Sequence, residues 1–157
     1  MSFFDRQLIL VWTPGKGSPI HDHGNAHCVM KILHGDLTET RYDFPDGDEA
    51  KPMEVKSEAV HSKNQVAYMA DELGLHRVSN QGTDYAVSLH RKLCSLMSSV
   101  ETIELSSADH LLTLLIVYTP PNVAKNGCHI FNSSTGSKTH VAKCGFYSAF
   151  GEKVTQD

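Results

Sequence analysis

His21 and His23 stand two residues apart in the stretch Gly15-Lys-Gly-Ser-Pro-Ile-His-Asp-His23. On a β-strand that spacing sends both imidazoles to the same face. Two convergent imidazoles offer neutral nitrogen donors of the kind that suit zinc, copper, iron and nickel. A third ligand would turn the pair into a reaction centre, and His76, just after Gly74 at the start of a strand-like run, is the candidate. Taken singly, His76 reads better as a half-exposed strand histidine than as a ligand. Ten histidines are many for 157 residues, which is a compositional hint of metal or acid–base chemistry. Cys28 follows the pair closely, and Ser88 and His90 share one face of another strand-like run.

The elements that would position these residues read as short strands. Residues 7–12 form an apolar run ended by Thr13-Pro-Gly15, as expected of a buried strand entering a turn. Residues 27–33 form a second strand stopped by His34-Gly-Asp36, and residues 37–43 alternate up to the break Phe44-Pro-Asp-Gly47. Further strands are expected at 65–69, 75–79 and 85–90, and a final pair or long edge strand at 139–149. Strands at roughly ten-residue spacing with Gly, Pro and Asn turns predict an all-β sandwich or barrel. The stretch 91–116 breaks this rhythm. It is Ser-rich at first, and Ser106 or Ser107 could cap a short helix through Leu111 to Ile116.

The chain is long enough to bury one core without metal or disulfide staples. Its 14 Lys+Arg against 18 Asp+Glu leave it mildly acidic, with no basic stripe for nucleic acid or an anionic membrane surface. Cys28, Cys94, Cys128 and Cys144 are widely spread without a C-x-x-C pair, which disfavours a zinc knuckle or a disulfide framework. Met1-Ser-Phe-Phe-Asp-Arg6 lacks the features of a signal peptide, and the apolar run His110–Tyr118 is too short to cross a bilayer. The expectation is a cytoplasmic protein in a reducing compartment.

Gly-x5-His-x-His-x4-Cys-x6-Gly over residues 15–35, and Gly-x-His-x3-Asn over 74–80, resemble the two motifs of the cupin superfamily. The first motif normally carries a glutamate ligand where this chain has Cys28. That replacement, with Ile20-His-Asp-His23, His27-Cys28, Gly74-Leu-His-Arg-Val78 and Val87-Ser-Leu-His90, resembles the animal-type cysteine dioxygenase family. The likeness runs from about Gln7 to His90 and resumes at Val117-Tyr-Thr-Pro-Pro121, Cys128-His129, Thr135-Gly-Ser-Lys138 and Phe146 to Gly151. The resemblance implies a cupin-type β-barrel, or jelly roll, built as a single domain over 1–157. It implies that His21, His23 and His76 hold Fe(II), that Cys28 forms a thioether with Tyr118, and that Ser88, His90 and Tyr118 form a hydrogen-bonded trio beside substrate. The implied reaction oxidises L-cysteine with O2 to cysteine sulfinate, on the route of cysteine catabolism towards taurine, and a monomer is expected. Omitting 91–116 would join His90 to Val117 and place Ser88, His90 and Tyr118 at i, i+2 and i+4 of one strand face.

Two departures from the family pattern bear on activity. The family's N-terminal helical region, with an arginine that pairs with the substrate carboxylate, precedes the first matched strand and has no counterpart here, so weak cysteine binding is expected. The family pattern implies an insert at 91–116, which separates positions that should be strand neighbours. Its loop-closure cost is only about 3 kcal/mol, so the obstacle is interrupted ladder hydrogen bonds rather than entropy. The alternatives are a dioxygenase for 3-mercaptopropionate, a catalytically impaired metal-binding isoform or fragment, and a cupin sugar-processing or storage protein.

Overall fold

The computed structural model describes residues 6–47, 50–94, 100–103, 114–117, 127–142, 148–149 and 152–153. Their strands, in chain order, are β1 Arg6–Trp12, β2 Ile20–His21, β3 Ala26–His34, β4 Leu37–Tyr42, β5 Val55–His61, β6 Val66–Met69, β7 Leu75–Ser79 and β8 Ala86–Cys94. They continue as β9 Val100–Ile103, β10 Leu114–Val117, β11 Cys128–Phe131, β12 Lys138–Val141, β13 Ser148–Ala149 and β14 Glu152–Lys153. Among the described residues the helical content is one 3-10 turn, Asp71–Leu73.

All strand pairings are antiparallel and build two principal sheets. One has the order β1-β8-β3-β6, and the other β12-β11-β2-β7-β4-β5. The expected all-β, cupin-type jelly roll is the fold observed. Trp12, Met30, Ile32, Ala67 and Ala86 from the first sheet pack with Leu37 and Val78 from the second, so the main core lies between the sheets. Period-two alternation dictates this: in β3, Ala26, Cys28, Met30 and Ile32 are buried while the residues between them are not. Ile20, Tyr42, Leu75 and Phe131 form a second cluster. They alternate with the residues that face the first core, so they lie on the opposite face of the six-stranded sheet.

Several sequence expectations change. Strand β11 was not foreseen, and of the final pair or edge strand expected at 139–149 the structure describes β12 and β13, with residues 143–147 outside the described ones. Strand β5 was not foreseen; it is an edge strand exposed along nearly its whole length, so burial leaves no apolar pattern to read. The region expected to end in a helix at Ile116 instead ends in β10, paired with β9 through Ile116↔Glu101 and Val117↔Val100. β-Branched residues on both strands favour that pairing over a helix, and residues 104–113 lie outside the described ones. Strand β8 does not stop at His90. It runs on to Cys94, with Arg91 opposite Gln7 and Val29, and Lys92 opposite Arg6 and Cys28.

One glycine is essential to the geometry that follows. Gly74 has φ +104°, and a Cβ there would lie 2.3 Å from the Tyr42 carbonyl oxygen. This close backbone approach is what lets Leu75 pair with Tyr42 and His76 with Arg41. Gly74→Ala is expected to cost about 2 kcal/mol and to lower the melting temperature by about 4–8 °C, measured by circular dichroism on the full chain.

Candidate metal centre

His21 and His76 are direct cross-strand partners in the β2–β7 pairing. Residues opposed in this way point to the same face, and their ring centroids lie 4.7 Å apart. Strand β2 ends at His21, so His23 does not share a strand face with it as the H-x-H spacing predicts. A turn places it instead. The His23 amide donates to Asp71 Oδ1 at 2.7 Å, the Asn25 amide donates to Asp71 Oδ2 at 2.6 Å, and the His23 carbonyl accepts from the Ala26 amide. Gly24 and Asn25 both take positive φ to close the turn. The His23 ring then sits 5.1 Å from that of His21 and 4.8 Å from that of His76.

Asp22, between the two histidines, ties this segment to β11. Its amide donates to the His129 carbonyl, its Oδ1 accepts from the His129 amide at 2.8 Å, and its Oδ2 accepts from His129 Nδ1 at 2.8 Å. The H-x-H segment is therefore fastened on one side by Asp71 and on the other by His129.

The three imidazoles place one nitrogen each within 4.8 Å of the others. Metal–imidazole bonds near 2.1 Å bring the nitrogens of one ion to within about 4.2 Å, so small side-chain rotations suffice. The hydrogen bonds on the rings fit the same purpose. His21 Nδ1 donates to the Pro19 carbonyl at 3.0 Å, and His76 Nδ1 donates to Glu39 Oε1 at 2.8 Å. A carbonyl or a carboxylate can only accept, so each ring carries a proton on Nδ1, and Nε2 is the nitrogen left to serve as a metal ligand. Metal-ligating histidines are typically oriented in this way. His23 and His76 are buried, at 1% and 3% exposure, while His21 is part-exposed.

Glu39 was not singled out by sequence reasoning. It lies on β4 at 2% exposure, and its Oε2 also accepts from His61 Nε2 and from the Arg41 guanidinium, both at 3.1 Å. The available signal was the alternation of 37–43, which puts this glutamate on the face of Leu37, a core position. Burial raises the Glu39 pKa, but hydrogen bonds from His76 and His61 and the charges of His76 and Arg41 outweigh it, bringing the carboxyl from 4.5 down to about 2.

The second group of predicted residues lies on the other sheet. Cys28, Ser88 and His90 are all buried. Ser88 Oγ accepts from Trp12 Nε1 at 2.8 Å and is hydrogen-bonded to His90 Nε2 at 2.8 Å, and His90 Nδ1 lies 3.9 Å from Cys28 Sγ. Trp12 was read only as a strand residue, and its role as a donor to Ser88 was not anticipated. Tyr118 lies outside the described residues. In register, the residue opposite Cys28 on β8 is Lys92, which holds the i+4 position from Ser88.

With this geometry, comparison with known proteins is decisive. Residues 5–103 match the cysteine dioxygenase type I family. The chain belongs to that family. It is 39% identical over 145 residues to cysteine dioxygenase type 1 of Homo sapiens, covering 92% of this chain and 57% of that protein. It is 37% identical over 148 residues to cysteine dioxygenase type 1 of Danio rerio, covering 94% of this chain and 59% of that protein. The chain thus spans little more than half the length of these relatives. Among solved structures it is similar to a Klebsiella pneumoniae protein with a double-stranded β-helix domain, at 10% identity and a TM-score of 0.46, covering 58% of this chain and 68% of that one. No helix among the described residues is long and apolar enough to cross a membrane.

The depressed Glu39 pKa makes a stability prediction with a definite sign. A carboxyl whose folded pKa lies below its unfolded value contributes stability fully present above about pH 4.5 and lost as pH falls towards about 2. The difference in melting temperature between the metal-free wild type and Glu39→Gln is expected to shrink across that window. Differential scanning calorimetry at half-unit pH steps measures it.

Proposed function

We propose that this cysteine dioxygenase family member binds Fe(II) through His21, His23 and His76 and oxidises L-cysteine with O2 to cysteine sulfinate. The observation that carries the reading is the convergence of three imidazoles with no carboxylate among them. Three neutral donors leave a bound divalent ion with its full positive charge, so an anionic thiolate is the substrate group that best balances it. Bound Fe(II) would supply the electronic coupling that lets O2 react with a closed-shell thiolate. The overall change balances without an external reductant. One thiol and one O2 give one sulfinic acid: the S–H bond and the O–O bond break, two S–O bonds form, the sulfur is oxidised and both oxygens are reduced.

The chain's own groups have distinct tasks in this reading. His21, His23 and His76 hold the ion, and burial of His23 and His76 keeps water from that side. Trp12 Nε1 and Ser88 fix the His90 ring, whose other nitrogen faces Cys28 Sγ. Family membership supports assigning Cys28, Ser88, His90 and Tyr118 to a cross-linked, hydrogen-bonded group beside substrate.

The test is O2 consumption by the Fe(II)-loaded full chain with L-cysteine, with sulfinate quantified by mass spectrometry. One sulfinate per O2 is expected, falling to background in His76→Ala. Stoichiometric bound iron with no sulfinate above background would overturn the enzymatic reading, and faster turnover of 3-mercaptopropionate would reassign the substrate.

A second reading, metal binding with impaired turnover, is favoured by one observation: Lys92 is the β8 residue in register with Cys28. Alkylation of the denatured protein followed by peptide mapping separates the two. A Cys28–Tyr118 thioether forms with loss of one hydrogen from each residue, the two electrons and two protons passing to O2, and leaves Cys28 unalkylated, which supports the first reading. Full alkylation of Cys28 is expected under the second.

A further inference from the structure

We propose that Glu39 is a positioning residue that supplies the three-histidine group with a negative charge one hydrogen bond out from the metal. The inference rests on the metal-site reading above. The three grouped residues are all imidazoles, so they bring no anion of their own. Glu39 restores one from a different strand.

The placement follows from register. Strands β2, β7, β4 and β5 are successive neighbours in one sheet. His21 lies opposite His76, His76 opposite Arg41, Glu39 opposite Ala59, and His61 opposite Leu37. His76, Glu39 and His61 therefore form a diagonal polar row on one face, at the separation over which long side chains reach across strands. The two Glu39 oxygens divide the work: Oε1 holds His76 Nδ1 at 2.8 Å, and Oε2 accepts from both His61 and Arg41 at 3.1 Å. Arg41 also donates to the Tyr68 carbonyl at 2.9 Å, fastening the carboxylate to the β6 strand of the facing sheet. A carboxylate buried to 2% exposure and gripped from three sides cannot swing away, so it holds the proton on His76 Nδ1 and makes Nε2 the more basic donor. An ion-pair network serving stability alone would need Arg41 and His61; it would have no need of the shortest contact going to His76.

The experiment uses the full chain with Glu39→Gln, Glu39→Ala and His61→Ala. Nitrogen-15 NMR of the metal-free protein reads the His76 tautomer, and anaerobic titration with Fe(II) alone reads affinity. Glu39→Gln keeps an acceptor oxygen without the charge, so the Nδ1–H tautomer is expected to persist while Fe(II) affinity falls several-fold. Glu39→Ala removes both, and the tautomer is expected to shift towards Nε2–H with an affinity loss of roughly 10–100-fold. His61→Ala leaves Oε1 in place and is expected to preserve the tautomer. Glu39→Gln and Glu39→Ala variants that are folded, keep the wild-type tautomer and bind Fe(II) within twofold of wild type would overturn the inference. Failure of the metal-site reading looks different: wild type itself would bind no stoichiometric Fe(II).

Discussion

The opposition of His21 and His76 across the β2–β7 pair is the constraint on which the rest of the site depends. Side chains on a strand alternate with a period of two, so a slip of one residue would send both imidazoles to the other face. The same slip would turn Ile20 and Leu75 inward and break their cluster with Tyr42 and Phe131. Apolar packing on one face of the six-stranded sheet thus fixes the register that aligns donors on the other. Gly74 admits the close approach to the Tyr42 backbone that starts this register, while the Asp22–His129 pairing secures its opposite side.

That inner face is unusual in what it buries. Leu37 and Val78 belong to the core between the sheets, yet Glu39, on the same strand and face as Leu37, is a fully buried carboxylate. An isolated charge at such a place would be costly or would neutralise itself. Here Arg41, His61 and His76 all donate to it, and the carboxyl stays ionised far below its usual range. The space between the sheets is therefore divided. One part is packed with Trp12, Met30, Ile32 and their neighbours, and another is lined by histidines around a compensated anion. The division lets a polar site exist inside a small barrel without opening the apolar core to water.

Much of this was legible before any coordinates. The strands at 7–12, 27–33, 37–43, 65–69 and 75–79 were readable because compact apolar or alternating runs end at turn residues. The run 7–12 is nevertheless not the buried strand its apolar character predicts: β1 lies at a sheet edge and exposes Ile9 and Val11. His21, His23 and His76 were readable because metal donors are chemically distinctive and their flanking glycines mark turns. Other features had weaker signals. Strand β5 pairs only with β4 and buries almost nothing, so its evidence lies in the partner's backbone rather than in its own composition. His23 owes its position to a carboxylate at Asp71, far along the chain, and no local spacing encodes that contact. Glu39 was hidden for the same reason, since its three donors come from β4, β5 and β7 and meet only once the sheet is assembled.

Strand β8 shows how the two halves of the chemistry come apart. The three histidines belong to the six-stranded sheet and its adjoining turn, whereas Cys28, Ser88 and His90 belong to the four-stranded one. The stretch that begins at Arg91 first extends the four-stranded sheet through Cys94, and its strands β9 and β10 pair with each other. Its first residues simply continue the ladder, so the backbone pairings of β3 and β1 are satisfied by Arg91–Cys94. Backbone hydrogen bonding is indifferent to side-chain identity, and for that reason the fold accepts Lys92 opposite Cys28 without losing a strand. The metal-binding half, held by register and carboxylates in the other sheet, does not depend on which residue β8 carries there.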